Sequence, residues 1–206
     1  MSNLPAEIPQ ATFHKRVMLT SGEEKWVTLQ TDTLFKDKTV IVFGLPGAFT
    51  PTCSGEQLPG FENLYHEFRK QGIDDIYCIS VNDTFVMDEW RDKQAIVNTK
   101  LIPDGSGEFT IKMGMDVRKD NLGFGMRSWR YAAVVTDGTI IKSFVEEGFQ
   151  DNAEDDPYDV SRPENVLEAV KEAASEVAIM SDEYDSVGTN IELNFSDTTS
   201  VKEKFG

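Results

Sequence analysis

A hydrophobic strand, an amphipathic helix and a second hydrophobic strand follow one another between residues 39 and 81, the order of a βαβ unit. Thr39-Val-Ile-Val-Phe43 is a β-branched and aromatic run with the composition of a buried strand. Leu58, Phe61, Leu64, Tyr65 and Phe68 then recur at helical spacing between polar residues, which predicts a long helix with one apolar face. Pro59 lies early in that helix and is a candidate kink. Asp75-Ile-Tyr-Cys-Ile-Ser-Val81 reads as the next strand. Strands joined through a helix are expected to lie parallel, connected by a right-handed crossover. The fold class is therefore α/β.

The flanking segments extend this unit into a mixed central sheet with helices on both faces and an N-terminal β-hairpin. Residues 11–16 and 25–30 carry strand-forming side chains around a turn at Ser21-Gly22-Glu23. Residues 31–38 read as a short helix or turn, residues 85–95 as a helix, and Leu101 and Ile102 as a short strand. Arg130–Val135 and Thr139–Val145 read as antiparallel strands, because Asp137-Gly138 between them is a strong two-residue hairpin signal. Ser161-Arg-Pro-Glu164 has the form of a capping box, and Val166, Leu167, Val170 and Ala174 line one face of the helix it would start. Beyond it, Glu176–Met180 and Asn190–Phe195 show strand-like alternation. The reading is one domain over residues 1–174 and an acidic extension of unassigned role over 175–206.

Cys53 sits in the joint between the first strand and the helix. Unpaired N–H groups at a helix start carry partial positive charge and favour an ionised sulfur, so Cys53 is a candidate nucleophile. The residues alone leave other readings open. A free cysteine also reads as a small buried hydrophobe, Thr50 also reads as a helix cap, and Arg130 taken alone reads as a surface or salt-bridging arginine.

Wider patterns narrow this. Pro46, Thr50 and Cys53 stand at a Pro-x-x-x-Thr-x-x-Cys spacing within Leu45-Pro-Gly-Ala-Phe-Thr-Pro-Thr-Cys53. Val81-Asn-Asp-Thr-Phe-Val-Met87 with Trp90 follows, and then Leu122-Gly-Phe-Gly-Met-Arg-Ser-Trp-Arg-Tyr131 leading into Ala132–Gly138. Together they resemble the peroxiredoxins, the peroxiredoxin-5 subfamily in particular. The chain is similar to the peroxiredoxin domain of bacterial peroxiredoxin-glutaredoxin hybrids, without the glutaredoxin domain.

The resemblance implies a thioredoxin-like fold and a thiol-dependent peroxidase acting on hydrogen peroxide and small alkyl hydroperoxides, with a role in antioxidant defence. It makes Cys53 the peroxidatic cysteine, Thr50 and Arg130 its activators and Pro46 its shield. The chemistry agrees with those residue types. A thiolate must attack one oxygen in line with the O–O bond while the other leaves with growing negative charge. A threonine hydroxyl can orient the peroxide, and an arginine, always protonated, can stabilise both sulfur and departing oxygen. Arg127 competes for the arginine role, although its distance from the Val-Val-Thr-Asp-Gly turn matches the family less well.

A sulfenic acid must meet a second thiol, and Cys78 is the other cysteine of the chain. Its separation from Cys53 matches a cysteine pair of some plant members, which makes it a candidate resolving residue. Its mid-strand place between Tyr77 and Ile79 instead reads as core, and a bridge requires α-carbons within about 7 Å. The expected cycle is that of a one-cysteine enzyme, restored by glutathione with glutaredoxin or by thioredoxin, and the family resemblance implies a homodimer with Phe49 and Phe124 at the contact. A non-enzymatic redox sensor or binding module on the same fold is the alternative.

Composition sets outer limits. The net charge of −16 argues against nucleic acid or an anionic membrane as partner. Residues 151–206 hold 15 acidic and 4 basic side chains, which reads as a solvated face. No secretory signal pattern opens the chain, so a cytoplasmic location is expected. His14 and His66 are the two histidines and no metal-ligand spacing exists, so no metal or bound cofactor is expected beyond the thiol co-substrate.

Overall fold

The computed structural model describes residues 4–188, and side-chain surroundings for residues 4–175. Strands β1 (Thr12–Met18) and β2 (Glu24–Gln30) form the antiparallel hairpin, in register from Thr12 opposite Gln30 to Met18 opposite Glu24. Helix α1 (Thr31–Phe35) leads into β3 (Thr39–Gly44). A π turn at Cys53–Gln57 and helix α2 (Leu58–Lys70) then cross to β4 (Asp75–Ser80), which pairs with β3 in parallel. Helix α3 (Thr84–Lys93) starts at Asp83, whose carboxylate accepts from the N–H groups of Phe85 and Val86. Strand β5 (Lys100–Pro103) adds beside β4, also in parallel.

Helix α4 (Glu108–Lys112) and a small antiparallel pair, β6 (Asp116–Arg118) and β7 (Met126–Ser128), come next. They precede β8 (Tyr131–Thr136), β9 (Thr139–Val145) and helix α5 (Pro163–Gly188). The main sheet has the order β5-β4-β3-β8-β9 and is mixed, since β8 runs antiparallel to both neighbours. Asp137 and Gly138 both have positive φ, as a two-residue hairpin matching the strand twist requires.

Both faces of β3 are covered, which is why its sequence is continuously apolar rather than alternating. Ile41 and Phe43 join Phe61 and Phe68 of α2, Trp90 of α3 and Val166 and Val170 of α5 on one side. Val40 and Val42 join Phe13, Phe35, Phe109 and Trp129 on the other. The chain divides at Val170/Lys171 into two units, and the side chains described below belong to the first.

Four expectations change. Residues 176–180 are helical within α5, not strand-like. Ala and Glu recur from 168 to 178 with no Gly or Pro before Gly188, and adding a residue to a running helix costs far less than starting one. Residues 190–195 lie outside the described residues. Arg130 precedes its strand, which opens at Tyr131. Ser161 donates its hydroxyl to Glu146 at 2.7 Å rather than forming a capping box. That buried carboxylate also gathers the N–H groups of Asp159, Val160 and Ser161, and a charged acceptor outcompetes a cap. Finally, Pro59 brings a π turn just ahead of it, as the site geometry explains.

Glu62 of α2 pins the loop before β5. It accepts from the N–H groups of Val97, Asn98 and Thr99 at 2.8–3.0 Å and from the Asn98 amide. Burial pushes its carboxyl up, but the bonds from Thr99, Asn98 and Val97 outweigh this and hold it below the usual range. A depressed carboxyl contributes stability above its unfolded pKa and loses it as pH falls through the folded one. Glu62→Gln should therefore cost about 1 kcal/mol at pH 7, a figure kept low because the group is partly solvated. The difference should shrink below about pH 4 in urea titrations.

Candidate active site

The segment leaving β3 is held rigid from several sides. Gly44 has no room for a side chain, because a Cβ would lie 2.3 Å from the Tyr131 ring. A Cβ on Gly47 would lie 2.4 Å from Nη1 of Arg127. Ala48 donates its N–H to Oδ1 of Asn82 at 3.0 Å, which ties the loop to the end of β4. Phe49 takes a left-handed φ of 63° and points its ring outward, 52% exposed. Thr50 donates its hydroxyl to the Gly47 carbonyl at 2.8 Å. Its proton is thus committed, and its lone pairs are what it offers a peroxide O–H.

Helical structure begins at Pro51, so Cys53 does lie in a first turn. The turn is wider than expected. Leu58 donates its N–H to the Cys53 carbonyl, five residues back, and Pro59 has no N–H to return the next bond to Gly55. Ser54 is fixed by the Trp90 indole, which donates to its hydroxyl at 3.0 Å. The Cys53 sulfur ends 0% exposed.

Arg130, 1% exposed, reaches that sulfur. Its Nη1 stands 3.5 Å from Cys53 Sγ and also donates to Oε1 of Gln57. Nη2 donates to the Asp156 carboxylate, Nε donates to the Pro157 carbonyl at 2.9 Å, and the guanidinium lies over the Tyr158 ring. These bonds use four of the five N–H groups that an arginine carries. Burial alone would lower the guanidinium's pKa, but the negative charges of Cys53 and Asp156 more than offset it, so the group is held above its ordinary value. Three partners thus hold the fork while a fourth contact points at the sulfur.

Arg127 does not take this role. It donates from Nη1 to the Pro46 carbonyl at 3.4 Å and from Nε to the Phe124 carbonyl at 3.2 Å. Burial lowers its pKa, and the charge of Cys53 acts in the opposite direction. It is a second cation near the sulfur, hydrogen-bonded to backbone. Pro46 is buried, and its ring lines the same cavity as Thr50.

Cys78 is a free thiol with 0% exposure, opposite Phe43 in β3 and Leu101 in β5. Burial first, and then the charge of Cys53, push its pKa well up. It shares an apolar cluster with Cys53 but is held protonated in a central strand.

Gln57, Asp156, Pro157 and Tyr158 were not among the expected site residues. Gln57 had a usable signal, since a residue four positions after Cys53 falls on the same helix face. Asp156 had none. It belongs to the acidic stretch read as a solvated face, and the arginine it pairs with is 26 residues away. Asp156 is exposed, as that reading has it, and also pairs with the buried Arg130.

A buried thiol and a fixed guanidinium meet here, and the Thr50 hydroxyl stands three residues ahead of the sulfur with its lone pairs free. The sequence pattern of the Redoxin family matches residues 6–160. The chain belongs to that family, among the peroxiredoxins. Over 172 residues it is 58% identical to a peroxiredoxin of Rhizobium etli, covering 82% of this chain and 96% of that one. It is 49% identical to the hybrid peroxiredoxin hyPrx5 of Haemophilus influenzae over 78% of this chain and 63% of the hybrid. Among solved structures, the 1-Cys peroxiredoxin antioxidant protein of Plasmodium falciparum superposes with a TM-score of 0.76 at 37% identity, covering 81% of this chain and 98% of the other. Reduced Prx3 of Vibrio vulnificus in complex with hydrogen peroxide gives 0.71 at 33% identity, over 83% and 97%. The peroxiredoxin family implies thiol peroxidase activity, a peroxide substrate and a thiol reductant, on a thioredoxin-like fold.

Proposed function

We propose that this peroxiredoxin reduces hydrogen peroxide and small alkyl hydroperoxides at Cys53, and that glutathione with glutaredoxin, or thioredoxin, restores it. The observation that carries this reading is the Arg130 Nη1 to Cys53 Sγ distance of 3.5 Å inside a fully buried site. In the proposed step the Cys53 thiolate attacks one peroxide oxygen, an S–O bond forms and the O–O bond breaks. The sulfur is oxidised by two electrons to a sulfenic acid, and the leaving oxygen takes a proton to depart as water or alcohol. Arg130 stabilises the negative charge as it moves from sulfur to that oxygen. Thr50 accepts the peroxide O–H, and Pro46 keeps bulk water away. No bound cofactor is needed.

Cys78 is read as core, and the cycle as that of a one-cysteine enzyme. Its burial and raised pKa support this, as does the likeness to the 1-Cys peroxiredoxin of Plasmodium falciparum. The same reading makes the protein a cytoplasmic homodimer, with exposed Phe49 and Phe124 at the contact. Cys78→Ala should retain peroxide turnover, at a stability cost of about 1–2 kcal/mol for the small cavity left behind. Turnover of both chains is measured separately with glutathione plus glutaredoxin and with thioredoxin plus its reductase. Loss of turnover in Cys78→Ala with every reductant would make Cys78 the resolving cysteine.

A further inference from the structure

Next to the peroxide site is a cavity of about 260 Å3 whose lining is divided by charge. Pro46, Pro51, Leu122 and Phe124 make it largely apolar, Glu154 and Asp155 bring exposed carboxylates, and Lys119 lines the same space. Lys119 is only 3% exposed. Lysines that deep are nearly always paired with a carboxylate. Among the described residues Lys119 has no such partner, and its Nζ stands 5.6 Å from the centroid of the Trp129 ring instead.

A buried cation and two acidic groups around one apolar space match a zwitterion. A neutral alkyl hydroperoxide would use the apolar lining but leave the ammonium without an anion. An α-amino-acid head has a carboxylate for Lys119 and an ammonium for Glu154 and Asp155. Asp156, which also lines the cavity, is already engaged by Arg130. Pro46 and Thr50 belong to the cavity and are seven and three residues ahead of Cys53, so a thiol seated here is on the Cys53 side of the fold.

We propose that this cavity binds the α-amino-acid head of a γ-glutamyl thiol reductant, its carboxylate on Lys119 and its ammonium on Glu154 and Asp155. This rests on Cys53 being the sulfur that peroxide oxidises. The bound thiolate attacks the sulfenic sulfur, an S–S bond forms as the S–O bond breaks, and hydroxide leaves with a proton as water. A second thiol then attacks the mixed disulfide, releasing Cys53 as thiolate and the reductant as its disulfide.

The full chain, oxidised by one equivalent of hydrogen peroxide, is reduced with glutathione, with glutathione acetylated on its α-amine, and with neutral 2-mercaptoethanol. In Lys119→Met the glutathione rate, divided by the same protein's 2-mercaptoethanol rate, should fall about tenfold, the loss of one buried charge contact. The wild type should prefer free glutathione over the acetylated form by about threefold, as exposed charge pairs allow, and Glu154→Gln with Asp155→Asn should erase that preference. The second variant changes exposed positions, so its result stands whether or not Lys119→Met folds. An unchanged normalised rate in Lys119→Met, or an acetylation preference that survives the double variant, overturns the cavity assignment. An oxidised form that reacts with dithiol proteins alone likewise overturns the cavity assignment, whereas a wild-type chain that takes up no oxygen from peroxide at Cys53 overturns the underlying reading instead.

Discussion

Cys53→Ser should consume peroxide no faster than buffer, the largest effect expected of any single change in this chain. The substitution is small in volume and leaves Arg130 held by Gln57, Asp156 and Pro157, so the surrounding network stays in place. What disappears is a sulfur that can attack a peroxide and accept its oxygen by two-electron oxidation. Cys78 cannot substitute for it. Burial and the neighbouring charge push that thiol's pKa well up, and among the described residues no guanidinium is hydrogen-bonded to it as Arg130 is to Cys53. Intact-mass measurement after one equivalent of peroxide should find one added oxygen on the wild type and none on the variant. Peroxide consumption by Cys53→Ser near the wild-type rate would move the chemistry elsewhere in the molecule.

The fold was legible where burial and local chemistry agreed. β3, β4, β8 and β9 were readable because their apolar runs are bounded by turns of clear type, Asp137-Gly138 above all. α2 was readable because Leu58, Phe61 and Phe68 are buried and Leu64 and Tyr65, the other apolar positions of the pattern, are partly buried on the same core. α4 and the β6–β7 pair were missed, since strands of three residues carry too little alternation to stand out from a loop. The site divides along the same line. Cys53 and Thr50 lie on one short segment with a distinctive pattern. Arg130 came from the family pattern rather than from its own surroundings, because nothing local distinguishes it from Arg127. What separates the two is tertiary: Arg127 is hydrogen-bonded to Pro46 and Phe124 carbonyls, while Gln57, Asp156 and Pro157 hold Arg130 in place. Each of those partners is far away in sequence, and in an acidic stretch Asp156 looks like any other surface carboxylate.

Arg130→Met is the second change with a large expected effect, because it removes the donor pointed at the place where charge develops while keeping a side chain of similar length. Preorganised donors of this kind contribute about 2.7–4 kcal/mol to the transition state, so the rate with hydrogen peroxide should fall by about 10²–10³. Stopped-flow fluorescence, with Trp90 close to Ser54 as reporter, measures that rate directly. Arg130→Lys should recover only part of it, since an ammonium restores charge but cannot reach Cys53, Gln57 and Asp156 together as a planar fork does. Stability moves by a different route. Without the guanidinium, Oε1 of Gln57 is left buried without its donor, a cost of about 1–3 kcal/mol. Arg130→Met combined with Gln57→Leu removes that orphaned group, so it should regain stability without regaining rate. A double variant that recovered both would make the arginine a packing residue, and Arg130→Met within threefold of the wild-type rate would leave Cys53 activated by something other than this contact.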